Sequence, residues 1–172
     1  TNIVPLRDAH GRVTHFATIG RDLSATRQLQ QELRLMASTD PLTGLLNRRR
    51  FLEQAEKEFL RSRRYRHELA AVMLDIDHFK AINDTHGHFV GDQVLIALSR
   101  AAENLLRDID ILCRWGGEEF VILMPETPLA GAAILAERLR ELLARLAVDT
   151  DAGTLHFTFS AGVAARGECD AG

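Results

Sequence analysis

No stretch of 18 apolar residues occurs in the chain, and there is no signal-peptide pattern at its start, which argues against membrane insertion or export of this segment. Surplus positive charge is missing as well. The net charge is −3 at pH 7 and the sequence pI about 6.1, so no basic surface is available to track a nucleic-acid backbone, and DNA and RNA are not expected partners. Cysteine is scarce: Cys113 lies in an apolar run and Cys169 in the terminal tail. The pair reads as reduced thiols of a cytoplasmic protein, in which a disulfide framework and a zinc site are both unexpected. His78, His86 and His88 have no cysteine near them in sequence to complete the closed four-ligand set that zinc prefers, so turn and helix-surface roles are assigned to them. A Gly-x-x-x-x-Gly-Lys-[Ser/Thr] string is absent too, which excludes a Walker-type cradle.

What is present is an ordinary globular composition. Of 172 residues, 46% are hydrophobic and 26% charged, enough for one core and an appendage. Residues 1–22 read as two strands, Ile3 to Arg7 and Val13 to Gly20, joined by the turn-like Asp8-Ala-His-Gly11. From Leu23 to Ser38 the composition shifts to Gln, Glu, Arg and Leu, and Leu29, Leu33 and Met36 fall on one helix face. That face suits either a short coiled-coil seam between two chains or a helix packed on its own domain. Asp40-Pro41 is a helix restart, with Asp40 as the cap and Pro41 in the first turn. A helix over Arg48 to Arg64 is expected to turn Phe51, Leu52, Ala55, Phe59 and Leu60 inward.

Leu69 to Asp75 is a continuous apolar run ending in an acid, as expected of a buried central strand with a carboxylate at its edge. The strand is expected to stop near Asp75, with Asp77 capping a short helix over His78 to Thr85. Gly87 and Gly91 mark a turn, and Gln93 to Leu106 follows as a helix with Val94, Leu98, Ala102 and Leu105 as its apolar stripe. Two further apolar runs, Ile109 to Trp115 and Phe120 to Met124, flank Gly116-Gly117, a pair in which both residues can take positive φ, and the segment reads as a hairpin. Glu118 and Glu119 follow at once. Side chains alternate along a strand, so the two glutamates are expected to point opposite ways unless a bulge intervenes. Leu129 to Ala147 is an amphipathic helix through Leu135, Leu139, Leu142 and Leu146, and Thr154 to Ala164 alternates as a strand. This order gives a mixed sheet covered by helices, of the α/β or α+β class.

Four ordered strings carry a resemblance. Trp115-Gly-Gly-Glu-Glu-Phe120, Asp40-Pro-Leu-Thr-Gly-Leu-Leu-Asn-Arg-Arg49, Leu74-Asp-Ile-Asp-His-Phe-Lys-Ala-Ile-Asn-Asp84 with Gly87-His88 and Gly91-Asp92, and Phe159-Ser-Ala-Gly-Val163 together resemble the GGDEF family of diguanylate cyclases from residue 40 onward. The family fold is a palm-like central sheet flanked by helices, of the nucleotidyl-cyclase type. The resemblance implies condensation of two GTP molecules into cyclic di-GMP. It places two Mg²⁺ or Mn²⁺ ions on Asp75, the Ile76 carbonyl and Glu118, and gives Glu119 a proton-accepting or supporting role. Hard oxygen donors of this kind select such ions. Asn83 and Asp92 become guanine contacts, and the backbone at Phe79-Lys80 a phosphate site. Arg107, Asp110 and Arg138 become an inhibitory site for the product. Each domain handles one GTP, so the family reading also implies a homodimer, expected to form through the linker helix of residues 23–39. A GGDEF-like receptor without catalytic activity, or a cyclase acting on ATP, are the rival expectations.

Val4-Pro-Leu-Arg-Asp8, Gly11 and Gly20-Arg-Asp-Leu-Ser24 resemble the closing strands of a PAS sensor domain, an arbitrary N-terminal hairpin being the alternative. The expected division is thus 1–22, 23–39 and 40–172. The family continues beyond the strand ending near Val163 with a basic helix and a closing strand, so the catalytic domain is expected to be truncated here, and full-length protein could be membrane-attached upstream.

Overall fold

The structure is a computed structural model that describes residues 2–19, 38–150 and 153–167. The chain falls into two compact units, residues 1–37 and 38–172. Within the first, β1 (Asn2–Arg7) pairs antiparallel with β2 (Val13–Ile19), with a register shift between Leu6 and Arg7. The turn is closed by the Asp8 carboxylate, which accepts from the backbone N–H of His10 at 2.8 Å and of Arg12 at 2.9 Å. The expected helix with Leu29, Leu33 and Met36 lies outside the described residues.

The second unit is built on a five-stranded sheet in the order β3-β5-β6-β4-β9. Its strands are β3 (Leu46–Asn47), β4 (Leu69–Ile76), β5 (Ile111–Gly116), β6 (Glu119–Pro125) and β9 (Phe159–Ala165). Only β3 runs parallel to its neighbour; the other pairs are antiparallel. The two central strands are apolar on both faces, as burial on both sides requires. Ala70, Val72, Leu74 and Ile76 of β4 point into the larger core, against α3 (His88–Glu103) and α4 (Leu129–Arg145). Leu69, Ala71 and Met73 face a smaller core under α1 (Arg48–Tyr65), with Phe51, Cys113, Val121 and Leu123. The result is a helix layer on each face of one sheet.

Several expectations need correction. Asp40-Pro41 starts no helix: residues 41–43 are a turn, and α1 begins at Arg48, where the Asn47 side chain accepts from the Arg50 N–H at 3.0 Å. Of the five side chains expected inward on α1, Phe51 is buried and Ala55 half-buried, whereas Leu52, Phe59 and Leu60 are 49%, 44% and 56% exposed. From Phe51 onward the less exposed positions of the helix are 51, 54, 55, 58 and 62, spaced at helical repeats; of these Phe51 and Ala55 pack on the smaller core, and Leu52, Phe59 and Leu60, one step round, point to solvent. On α4 it is Leu143 that is buried, while Leu142 is 37% exposed. α3 starts at His88, so Gly91 lies inside the helix and marks no turn. The single strand expected over residues 154–164 is divided: β8 (Gly153–Leu155) forms a small hairpin with β7 (Val148–Thr150), and β9 starts at Phe159.

Candidate active site

The hairpin turn is one residue later than the glycine pair suggested. Gly116 closes β5, Gly117 and Glu118 form the turn, and Gly116 pairs with Glu119. Only Gly117 has positive φ, at 53°, and Glu118 is therefore a turn residue, off the strand. The register shift between Arg114 and Gly116 leaves Trp115 as the extra residue of a bulge. Its ring packs edge-on against Phe51, with centroids 6.0 Å apart, and the Arg48 guanidinium lies over it at 4.5 Å.

Arg114 holds this turn from beneath. Its Nε and Nη2 donate to the Gly117 carbonyl at 2.9 and 2.8 Å, and Nη1 donates to both carboxylate oxygens of Asp40 at 3.1 and 3.2 Å. Asp40 in turn accepts from the N–H and hydroxyl of Thr43 at 2.9 and 2.8 Å. Partial burial on its own would raise the Asp40 carboxyl, but the bonds from Thr43 and Arg114 outweigh it and hold the group below its ordinary value. Burial, with the Asp40 charge nearby, pushes the Cys113 thiol up to about 12, so this thiol is inert at neutral pH.

Pairing of β4 with β6 places Asp75 directly opposite Glu119, and directly opposite residues share a face of an antiparallel pair. Ile76 N–H points at the Glu118 carbonyl, at 3.4 Å, which ties the end of β4 to the turn. Asp75, Glu118, Glu119 and the Ile76 peptide are thus gathered at one end of the sheet. Asp75 is exposed and both glutamates are half-buried. No group of three or more His, Cys, Asp or Glu side chains poised for a metal occurs among the described residues. A divalent cation here would draw on carboxylates and a backbone carbonyl, a donor set of hard oxygens that fits Mg²⁺ or Mn²⁺ and leaves positions for phosphate oxygens.

Asp77 does not cap a helix. It accepts from the Ser160 and Thr158 hydroxyls, each at 2.7 Å, and its N–H donates to the Thr158 carbonyl at 3.0 Å. Those two hydroxyl bonds, Ser160 first, hold its carboxyl below the ordinary value. β4 runs on to Ile76, His78 takes a left-handed φ of 57°, and α2 (Phe79–His86) starts after it with no side-chain cap. First-turn N–H groups left without a cap form a site suited to an anion. Further along, Asn83 of α2 meets Gly91 of α3 so closely that a Cβ at position 91 would lie 2.0 Å from the Asn83 Oδ1. Asp92, exposed beside it, sits within α3 and so does not act as the cap of that helix.

Arg107, Asp110 and Arg138 are gathered elsewhere, at the opposite end of β5, about 17 Å away along the strand. They line a cavity of about 350 Å³ with Met124, Thr127 and Ile134. The Arg107 Nε and Nη2 donate to the two Asp110 oxygens at 3.3 and 3.2 Å.

Arg114, Asp40 in its bridging role, and the Asp77 pair with β9 were not assigned from sequence. The available signal for Arg114 was a cation inside an otherwise apolar strand next to the turn.

The family model described as "Diguanylate cyclase, GGDEF domain" matches residues 37–169. Among curated proteins, diguanylate cyclase DgcM of Escherichia coli is 41% identical over 146 residues, 85% of this chain and 35% of that protein. Diguanylate cyclase DgcP of Pseudomonas aeruginosa is 42% identical over 145 residues, 84% of this chain and 22% of that one. The chain therefore spans about a third or less of the length of these relatives. Among solved structures, the coiled coil and GGDEF domain of DgcB from Caulobacter crescentus, in complex with c-di-GMP, aligns with a TM-score of 0.79 at 27% identity, covering 84% of this chain and 78% of that one. Diguanylate cyclase SiaD from Pseudomonas aeruginosa, in complex with its activator SiaC, aligns at 0.73 and 44% identity, covering 83% and 55%. With its sheet order, its Gly-Gly-Glu-Glu-Phe turn and a match over most of its length, the chain belongs to the GGDEF family.

Proposed function

We propose that the chain is the catalytic module of a diguanylate cyclase, joining two GTP molecules into cyclic di-GMP. Each 3′ oxygen forms a bond to the α-phosphorus of the other GTP, and each triphosphate releases pyrophosphate. The observation that carries this reading is the placement of Asp75 opposite Glu119, with Glu118 in the adjoining turn and the Ile76 peptide tied to it.

Asp75, Glu118 and the Ile76 carbonyl are the residues to hold divalent ions, two per site. Such ions, Mg²⁺ or Mn²⁺, would neutralise phosphate charge and lower the pKa of the 3′-hydroxyl. Glu119, on the face of Asp75, accepts or relays the proton from that hydroxyl. The N–H groups of Phe79 and Lys80 at the uncapped start of α2 take phosphate oxygens. Asp92 accepts from guanine N1–H and its amino group, and Asn83 bonds the ring edge. Adenine offers no such donor pair and would leave Asp92 unsatisfied, a penalty of about 1–3 kcal/mol.

Two GTP-loaded sites must face each other, so the active form is a homodimer, assembled through the helix of residues 23–39. The hairpin of residues 1–22 is the end of a PAS-like sensor, and the segment works in the cytoplasm. No helix among the described residues is long and apolar enough to cross a membrane. Arg107, Asp110 and Arg138 form the product-binding inhibitory site, supported by their convergence on one cavity. Chromatography of products after incubation with GTP or ATP and Mg²⁺ tests the reading. Cyclic di-GMP from GTP alone is the expected result; a cyclic nucleotide from ATP, or binding without turnover, overturns it.

A further inference from the structure

Thr127 precedes Pro128, a setting in which threonine commonly serves as a helix cap, yet no side-chain cap bond is made at the start of α4. Its hydroxyl is turned elsewhere. Thr127 is 4% exposed, and its Oγ1 lies 3.0 Å from the Pro125 carbonyl and 2.6 Å from the Arg107 Nη2. Chemistry sets the direction of both bonds. A carbonyl only accepts and a guanidinium only donates, so the single hydroxyl hydrogen goes to Pro125 and a hydroxyl lone pair receives Arg107.

Arg107 is thereby held from two sides. Asp110 takes Nε–H and one Nη2 hydrogen, and Thr127 takes the other, which leaves the two Nη1 hydrogens without an acceptor among the described residues. Arg107, Asp110 and Thr127 all line the same cavity as Arg138. Gly131 makes room for this arrangement: a Cβ there would lie 2.9 Å from the Thr127 methyl carbon.

We propose that Thr127 is a positioning residue for the anionic cyclic dinucleotide, fixing the guanidinium plane of Arg107 so that its free edge faces the cavity. The inference rests on the reading of Arg107, Asp110 and Arg138 as the product site. The two bonds to Asp110 are long, at 3.3 and 3.2 Å, and hold the fork loosely; the 2.6 Å bond to the buried hydroxyl adds a third, shorter tie before ligand arrives. An arginine already ordered loses less freedom on binding.

Calorimetric titration of the chain with cyclic di-GMP, using Thr127→Val, Thr127→Ser and Arg107→Ala, tests this. Thr127→Val keeps the shape and removes the hydroxyl, and its Kd should rise about tenfold. Thr127→Ser should restore the native value, a rescue that a loss of packing would not show. If the valine variant does not fold by thermal melt, Thr127→Ala replaces it with the same expectation. An Arg107→Ala variant that binds as native removes the product-site reading itself. Weak binding by Arg107→Ala together with native affinity in the hydroxyl-free variant, or an affinity loss that Thr127→Ser does not restore, overturns the role given to Thr127.

Discussion

The Arg114 guanidinium joins the Asp40 carboxylate, 74 positions earlier in the chain, to the Gly117 carbonyl of the Gly-Gly-Glu-Glu-Phe turn. The two side chains are only 15% and 18% exposed, so the pair is screened less than a surface ion pair and either partner left alone retains a poorly solvated charge. The turn that carries Glu118 is therefore held from a segment at the very start of the second unit.

Breaking that link should disturb catalysis more than folding. Arg114→Lys keeps the charge but cannot fork to both acceptors, and is expected to lower GTP turnover about 10–100-fold. Asp40→Asn should show a smaller loss in the same direction. Because the two residues act through one contact, the double variant should fall short of the summed effects, with a coupling of about 0.5–3 kcal/mol in stability. Additive losses in melting and turnover experiments would show that the contact does not work as a unit.

Acid should release two ties in the site. Asp40 and Asp77 are both held below the ordinary carboxylate value of 3.8, so each contributes stability above that value and loses it as pH falls through its lower folded value. Melting temperatures of the native chain and of Asp40→Asn should differ at neutral pH, and the gap should narrow as pH falls below the ordinary carboxylate value of 3.8. The corresponding gap for Asp77→Asn should be smaller, since Asp77 is close to water. A gap that persists unchanged into acid would sink the assignment.

Gly91 lets α2 and α3 approach at Asn83. Gly91→Ala must displace the Asn83 amide, because the added carbon would lie 2.0 Å from its Oδ1. An increase in the KM for GTP on the order of tenfold is expected, with kcat changed less. Equal KM values for native and variant would separate Asn83 from base recognition.

α1 offers a test of the fold. Phe51→Ala removes a buried ring from the smaller core and should destabilise by about 3–5 kcal/mol. Phe59→Ala, at a residue 44% exposed, should cost less than about 1 kcal/mol. Comparable losses in denaturant melts would contradict the placement of α1.

Those two phenylalanines also show what the sequence could and could not reveal. Apolar spacing identifies which residues tend to share a helix face, and it located α1 and α4 well, but it placed the start of α3 five residues late, at Gln93 in place of His88. It carries no information on how thick the core beneath a helix is, so Phe51 and Phe59 looked alike. β4 and the hairpin were legible because an unbroken apolar run and a glycine pair are local signals. The turn shift by one residue was not, since either glycine tolerates positive φ and the choice depends on the bulge at Trp115. β3 has two residues and no pattern of its own. Asp75, Glu118 and Glu119 stood out through their strings, whereas Asp40, Arg114, Asp77 and Ser160 act through partners more than 70 residues distant, which spacing along the chain cannot disclose.

The central claim is that acids from β4 and the β5–β6 hairpin cooperate on GTP bound with divalent ions. The most direct measurement is cyclic di-GMP formed from GTP and Mg²⁺ by the native chain and by Asp75→Asn, both shown to be folded by thermal melt. The account predicts product from the native chain and a loss of at least about a hundredfold in the variant. Product from both at the same rate would contradict it.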